Sequence, residues 1–276
     1  MSAPTVVRAD STDQGYWLDL WNYRELLQIL AWRDISVRYK QTIIGVSWAL
    51  IRPLLTMIIL SVVFGALAKL PSDGAAPYSL LVLSGILPWG FFSSALADAS
   101  NSLISGENAK LLNKVYFPRL IMPLAAIVVS LVDFAISCSL LVILMVWYKF
   151  VPGWEIVFLP LFLLLAFFLS LGVGAWVSAL NVKYRDFRYV IPFMLQVGLY
   201  ISPVGFSSSI VPDNWRLLYS INPLVGIIDG FRWCLFGSQT HLYVPGVFAS
   251  VTVTFGLTWL GIRKFRDIEK RFADLI

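Results

Sequence analysis

Residues 121–148 read IMPLAAIVVSLVDFAISCSLLVILMVWY. In these twenty-eight residues the one charge is Asp133. A hydrocarbon core of about 30 Å is crossed by roughly 20 helical residues at about 1.5 Å each. A helix apolar on every side over such a length belongs in lipid or in the centre of a large protein. The stretch is therefore expected to cross a membrane. Four more runs of similar kind flank it, at about Gly45–Leu67, Ser79–Ala99, Ile156–Leu180 and Val244–Ile262. A shorter one, about Val190–Phe206, is punctuated by Pro192 and Pro203. The expected fold is an all-α integral membrane protein with six transmembrane helices.

Composition agrees. Of 276 residues, 58% are hydrophobic and 13% charged, against a usual charged share of about 25%. Mean hydropathy is +0.77. Such a chain is too apolar to be disordered, and Cys138 and Cys234 alone make no disulfide scaffold. The long unbroken apolar runs do not suit an outer-membrane barrel, whose strands alternate. The net charge of +5 fits cytoplasmic loops rich in Lys and Arg, and there is no aromatic-interleaved basic stripe for nucleic acid. With a cytoplasmic N-terminus, sixteen Lys and Arg fall inside and four outside, with Arg52 within the first span. Both termini are thus expected in the cytoplasm. No short apolar leader precedes the first span, which is expected to act as its own signal anchor.

Four features go beyond a plain bundle. The stretch Tyr16–Gln41 mixes Trp17, Trp21, Leu26, Leu30 and Trp32 with Arg24, Arg33, Asp34 and Arg38. It reads as an amphipathic helix in the cytoplasmic interface, or as a flank packed on the loops. The loop Ser100–Phe117 carries helix formers over Glu107–Val115, stopped by Pro118. Either it is a helix that inserts into a partner's groove, or a connector with a helical turn. The outer stretch Ser202–Gly237 is apolar but broken. Asn222 as N-cap and Pro223 at the first position predict a helix over Pro223–Phe236, about 21 Å long and too short to cross. It reads as re-entrant or interfacial, with Asp229 and Arg232 three apart on one face. Finally, Arg52 and Asp133 lie at membrane depth, where a charge costs a few kcal/mol unless paired or hydrated. Arg52 either lines a pore or snorkels. Asp133 reads as a hydrogen bond to a neighbouring helix, since the sequence shows no basic residue at its depth.

Reactive chemistry is sparse. There is no G-x-x-x-x-G-K-[ST], so the chain is not expected to hydrolyse nucleotide. His241 is the only histidine, which argues against a histidine metal site or a Ser-His-Asp triad. Asp98 and Asp133 are the only acids in or near the spans, too few for an intramembrane enzyme or a proton-coupled carrier. A path lined by uncharged groups and driven from outside fits better.

Several stretches resemble the permeases of type-2 ABC exporters, and most closely the branch that exports lipid-linked polysaccharides such as O-antigen, capsule or teichoic acid. They are YRELLQILAWRDISVRYKQTIIGVSWALIRPLLTMIILSVVFG at Tyr23–Gly65, PYSLLVLSGILPWGFF at Pro77–Phe92, NSLISGENAKLLNKVYFPRLIMPLAAIVVSLVDF at Asn101–Phe134, ALNVKYRDFRYVIPFMLQVGLYISPV at Ala179–Val204 and SINPLVGIIDGFRW at Ser220–Trp233. The resemblance implies a cytoplasmic N-terminal segment over 1–42 and a six-span transmembrane domain over 43–276, in the cytoplasmic (inner) membrane. It implies a second copy of the chain around a central channel and two ATP-binding cassette subunits that bind the ATP and Mg, with no cofactor in this chain. Glu107, Asn108, Lys110, Leu111 and Lys114 would form the coupling helix seated in the ATP-binding subunit, with Arg33 and Arg38 close by. Arg52, Trp89, Phe91, Phe92, Phe193 and Tyr200 are the channel or glycan-contact candidates. Asn222, Pro223, Asp229 and Arg232 are the outer-gate candidates. The rival readings are a permease for a hydrophobic small molecule or lipid, and a membrane scaffold that moves nothing.

Overall fold

The computed structural model describes residues 13–40, 46–72, 76–105, 111, 117–184, 186–237, 240 and 242–270. Among these the chain is all-helical, with ten α-helices and no strand. The N-terminal stretch, expected as one helix, is two: α1 (Asp13–Asn22) and α2 (Arg24–Lys40), broken at Tyr23. Next come α3 (Ser47–Leu60), α4 (Tyr78–Asn101), α5 (Ile121–Trp147), α6 (Leu159–Lys183) and α7 (Phe187–Ile201). The last three are α8 (Asp213–Tyr219), α9 (Pro223–Phe236) and α10 (Val244–Glu269). Beyond Leu60, α3 continues as a π-helical segment over Ser61–Leu67, closed by a hydrogen bond from Ala68 N–H to Val63 O. A 3₁₀ turn over Trp154–Phe158 leads into α6.

Five helical segments are long and apolar enough to cross a membrane: Ser47–Leu67, Tyr78–Asn101, Ile121–Trp147, Trp154–Lys183 and Val244–Glu269. The sixth expected span is α7, fifteen residues long. It ends at Ile201 because Pro203 disfavours helical backbone in the residue before it, and Ser202 is extended. The direction of the chain is nonetheless plain. Phe168 of α6 meets Phe255 of α10, and Gly172 meets Thr258 and Gly261, so α6 and α10 run parallel. The segment between them, α7 to α9, therefore carries the chain back to the side from which α6 set out.

Small residues set the closest approach. A Cβ on Gly261 would lie 2.0 Å from Gly172 O, and one on Gly172 would lie 2.3 Å from Thr258 Cα. Backbones can touch this closely only where side chains are absent. The Thr258 hydroxyl adds a hydrogen bond across the seam to Phe168 O at 2.9 Å. At the centre, α4 packs antiparallel to α5 and also against α6 and α9. Aromatic rings run across this core, from Phe91 to Phe134 and from Phe134 to Phe231.

The helix expected over Pro223–Phe236 has those bounds. Asn222 Oδ1 accepts from Leu224 N–H at 3.1 Å, and Pro223 takes the first position. Eleven of its fourteen residues are buried, so α9 is an interior helix of the fold and does not lie along its surface.

Candidate functional site

A cavity of about 760 Å³ lies between α2, α3, α4, α5 and α7. Its apolar wall includes Trp89 and Phe91 of α4, Phe134 of α5 and Leu195 of α7. Its polar wall includes Arg38 and Tyr39 of α2, Arg52 of α3, Ser93, Ser94 and Asp98 of α4, and Asp133 and Ser137 of α5.

The polar wall is a bonded network. Arg38 Nη2 donates to Asp98 Oδ2 at 2.6 Å, and Arg38 Nη1 donates to Asp133 Oδ2. The Tyr39 hydroxyl donates to the other Asp133 oxygen. The Ser130 hydroxyl donates to Asp98 at 3.3 Å. Ser137 Oγ is 2.9 Å from Ala49 O, which brings α3 to the same level. Burial alone would lower the Arg38 pKa, but the carboxylates of Asp98 and Asp133 outweigh it and raise it. Tyr39 is held above the ordinary tyrosine range by burial and by its bond to Asp133. At neutral pH the guanidinium and the phenol both keep their protons.

This corrects the reading of Asp133. Its partner is a basic residue after all, delivered by α2 and not by a neighbouring span. Sequence spacing could not pair them, since 95 residues separate Arg38 from Asp133. The signal was the rule that a charge at membrane depth needs a counter-charge, applied to the last turn of α2. Arg52, the sixth residue of α3, lines the same cavity and makes no hydrogen bond or ion pair among the described residues.

The aromatic candidates separate into two groups. Trp89 is buried and lines the cavity, with Gly198 of α7 leaving room for its ring: a Cβ there would sit 2.7 Å from Trp89 Cη2. Phe91 also lines it, and Phe92 packs its ring 6.0 Å from that of Trp89. Phe193 and Tyr200 stand on the uncovered face of α7, 64% and 61% exposed. In the coupling stretch, Glu107, Asn108, Lys110 and Lys114 lie outside the described residues. Leu111 is helical and packs against the core. Arg33 pairs with its neighbour Asp34 at 2.7 Å, both of them half-buried.

On the far side of the cavity, Arg232 is 1% exposed. Its guanidinium donates to Phe206 O at 2.9 Å, Val204 O at 3.0 Å and Leu81 O at 3.2 Å. It thereby pins the turn after α7 to both α9 and α4. Asn222 Nδ2 donates to the Ser202 hydroxyl at 3.0 Å and fixes the other side of that turn.

A further junction was not anticipated. The Tyr16 hydroxyl donates to Glu269 Oε2 at 3.1 Å, and Arg119 N–H donates to Glu269 Oε1 at 2.9 Å. The Arg266 guanidinium lies 4.5 Å from the centre of the Tyr16 ring. The end of α10 thus holds both α1 and the start of α5. Among the described residues no group of three His, Cys, Asp or Glu is placed to hold a metal ion.

The sequence profile of the family described as "ABC-2 type transporter" matches residues 25–236. The chain is 25% identical over 260 residues to the "O-antigen export system permease protein RfbA" of Myxococcus xanthus, covering 94% of this chain and 98% of that protein. It is 26% identical over 255 residues to the protein of the same name from Klebsiella pneumoniae, covering 91% and 95%. It is 22% identical over 235 residues to the "Polysialic acid transport protein KpsM" of Escherichia coli, covering 84% and 90%.

Proposed function

The chain belongs to the ABC-2 type transporter family, and from that premise we propose that it is the membrane-spanning permease subunit of an exporter of lipid-linked polysaccharide. The observation that carries this reading is the end-to-end match to relatives named for O-antigen export. The relative named for polysialic acid supports a glycan cargo. The cavity adds physical support, because it offers aromatic faces for sugar rings beside hydroxyls for their polar edges.

The proposed protein sits in the inner membrane with six crossings, both termini in the cytoplasm and α7 to α9 as the fifth passage. The parallel run of α6 and α10 supports that count. Two copies face one another across the uncovered sides of α3 and α7, which puts Phe193 and Tyr200 on the shared path. Each copy docks an ATP-binding cassette subunit, which holds the ATP and Mg and performs hydrolysis. Glu107, Asn108, Lys110, Leu111 and Lys114, with Arg33, form the docking surface. Trp17, Trp21 and Trp32, all exposed on α1 and α2, rest in the headgroup layer. Asn222, Pro223, Asp229 and Arg232 hold the outer end. ATP binding closes the partner subunits, and rigid-body motion passes to the spans and opens the path.

The test is to purify the chain from its native membrane in mild detergent, identify what accompanies it, and measure ATP hydrolysis with and without lipid-linked glycan. A stoichiometric ATP-binding partner whose hydrolysis responds to glycan is expected. A chain that comes alone and supports no hydrolysis overturns the reading in favour of a scaffold. Hydrolysis that responds to hydrophobic small molecules but not to glycan reassigns the cargo.

A further inference from the structure

We infer that Arg38, Asp98 and Asp133 form a strut that transmits movement of α2 to the cavity wall, and that they are positioning residues for export. The inference rests on the proposed ATP-driven reading and adds to it the part that joins the cytoplasmic face to the path.

Geometry comes first. α2 packs on α5, and its buried residues are Leu30 and Ala31. Its last turn then reaches the cavity, where one guanidinium holds a carboxylate on α4 and another on α5. Ser130 joins α5 to α4 at the same place, and Ser137 lies within bonding distance of α3. Three helices thus meet through polar bonds, with α3 within reach of them, on the cavity side of an otherwise apolar bundle.

Stability alone is a poor account of this arrangement. α4 and α5 already share an extensive apolar contact, and a partly buried ion pair gains little over apolar packing of the same size. What ions supply is fixed geometry. The planar guanidinium sets the separation of the two carboxylates, as a point charge does not. If α2 moved without α4 and α5, two half-buried carboxylates would be left facing one another without the cation they share, which is disfavoured. Keeping that cation seated ties the movement of α2 to that of both helices. With Arg52 on α3, the four charged side chains of the cavity wall together present no net charge to a passing glycan.

The test uses the complex of this chain with its ATP-hydrolysing subunit in proteoliposomes, with hydrolysis and movement of lipid-linked glycan measured on one preparation. Arg38→Met is expected to cut glycan movement about ten-fold while hydrolysis changes less than about two-fold. Arg38→Lys is expected to recover part of the loss. Asp98→Asn and Asp133→Asn, close in shape to the originals, are each expected to uncouple in part, and adding either to Arg38→Met is expected to cause no further loss, since it removes one of the two carboxylates left without a cation. If Arg38→Met does not assemble, the two asparagine variants carry the test. Glycan movement that stays normal, or that falls in step with hydrolysis, overturns the strut and leaves the exporter reading intact. A wild-type complex that hydrolyses ATP but moves no glycan overturns both.

Discussion

An arginine with 1% of its surface exposed has left water almost completely. For Arg232 that is tolerable because three carbonyls surround the guanidinium. Removing it leaves the Phe206 and Val204 oxygens without this donor in an apolar place, while Leu81 O keeps the Ser84 hydroxyl, and hydrogen bonds to a charged group are worth about 1.5–3 kcal/mol each. Arg232→Met is therefore expected to destabilise the fold by roughly 3 kcal/mol or more, seen as a large drop in Tm in detergent. Arg232→Lys is expected to recover little, since a single ammonium lacks the planar fork that reaches two carbonyls of the turn and one of α4 at once. The sequence singled out this residue but could only place it relative to Asp229 on its own helix. Its carbonyl partners lie 26, 28 and 151 residues away, and no local pattern encodes such distances. The same reason hid the partner of Asp133. A charge in a span announces that a counter-charge exists, and only the packing of α2 on α5 says which.

At the scale of the element, the seam between α6 and α10 is set by backbone contact. Gly261→Ala places a methyl group 2.0 Å from a carbonyl oxygen that cannot turn aside, so the helices must part. Overpacking of this kind costs about 1–3 kcal/mol, and unfolding in detergent should show it. Gly256→Ala on the same helix meets nothing within 4 Å. It should be neutral or slightly stabilising, because alanine favours helix. The junction at Glu269 makes a pH prediction. Burial first, and the Glu269 carboxylate second, raise the Tyr16 pKa in the folded chain. Tyr16 then contributes stability that is complete below the unfolded value near 10 and is lost as pH rises through the folded value. Stability measured above about pH 10 should fall more steeply in the wild type than in Tyr16→Phe. Helix ends were legible unevenly. Pro203 sits inside the apolar run that suggested a span to Phe206, and its steric effect on Ser202 stops α7 earlier. For α10, hydropathy ended at Ile262, where Arg263, Lys264 and Arg266 begin. The helix itself runs on to Glu269, because charge marks where lipid stops and not where hydrogen bonding stops.

For the molecule as a whole, the five long spans were readable to within a few residues, apart from the charged end of α10, since twenty apolar residues in a row admit few other structures. The cavity was not readable. It depends on which faces of α2, α3, α4, α5 and α7 meet, and helices apolar all round give no sign of that. Hence Trp89 and Phe193 looked alike in sequence and stand on different surfaces in the structure. Orientation rests on charge asymmetry alone, and it gives a clean expectation. A reporter that fluoresces only in the cytoplasm, fused after Ile276, should light up. One fused in the loop between α5 and α6, after Lys149, should stay dark.

The π-helical turn that ends α3 has a consequence for how this chain can vary. Each of its hydrogen bonds encloses one residue more than an α-helical bond does, so the segment stores an insertion. Removing one residue from Ser61–Leu67 lets the backbone relax to ordinary helix with both flanks still facing as before. Phe64, whose ring packs against Gly205, sits in that segment. One residue removed from Ser47–Leu60 has no such slack. Everything beyond it turns by about 100°, one residue's share of a helical turn. Length changes in the first span should therefore be found in descendants of this sequence at its Leu67 end and not at its Ser47 end.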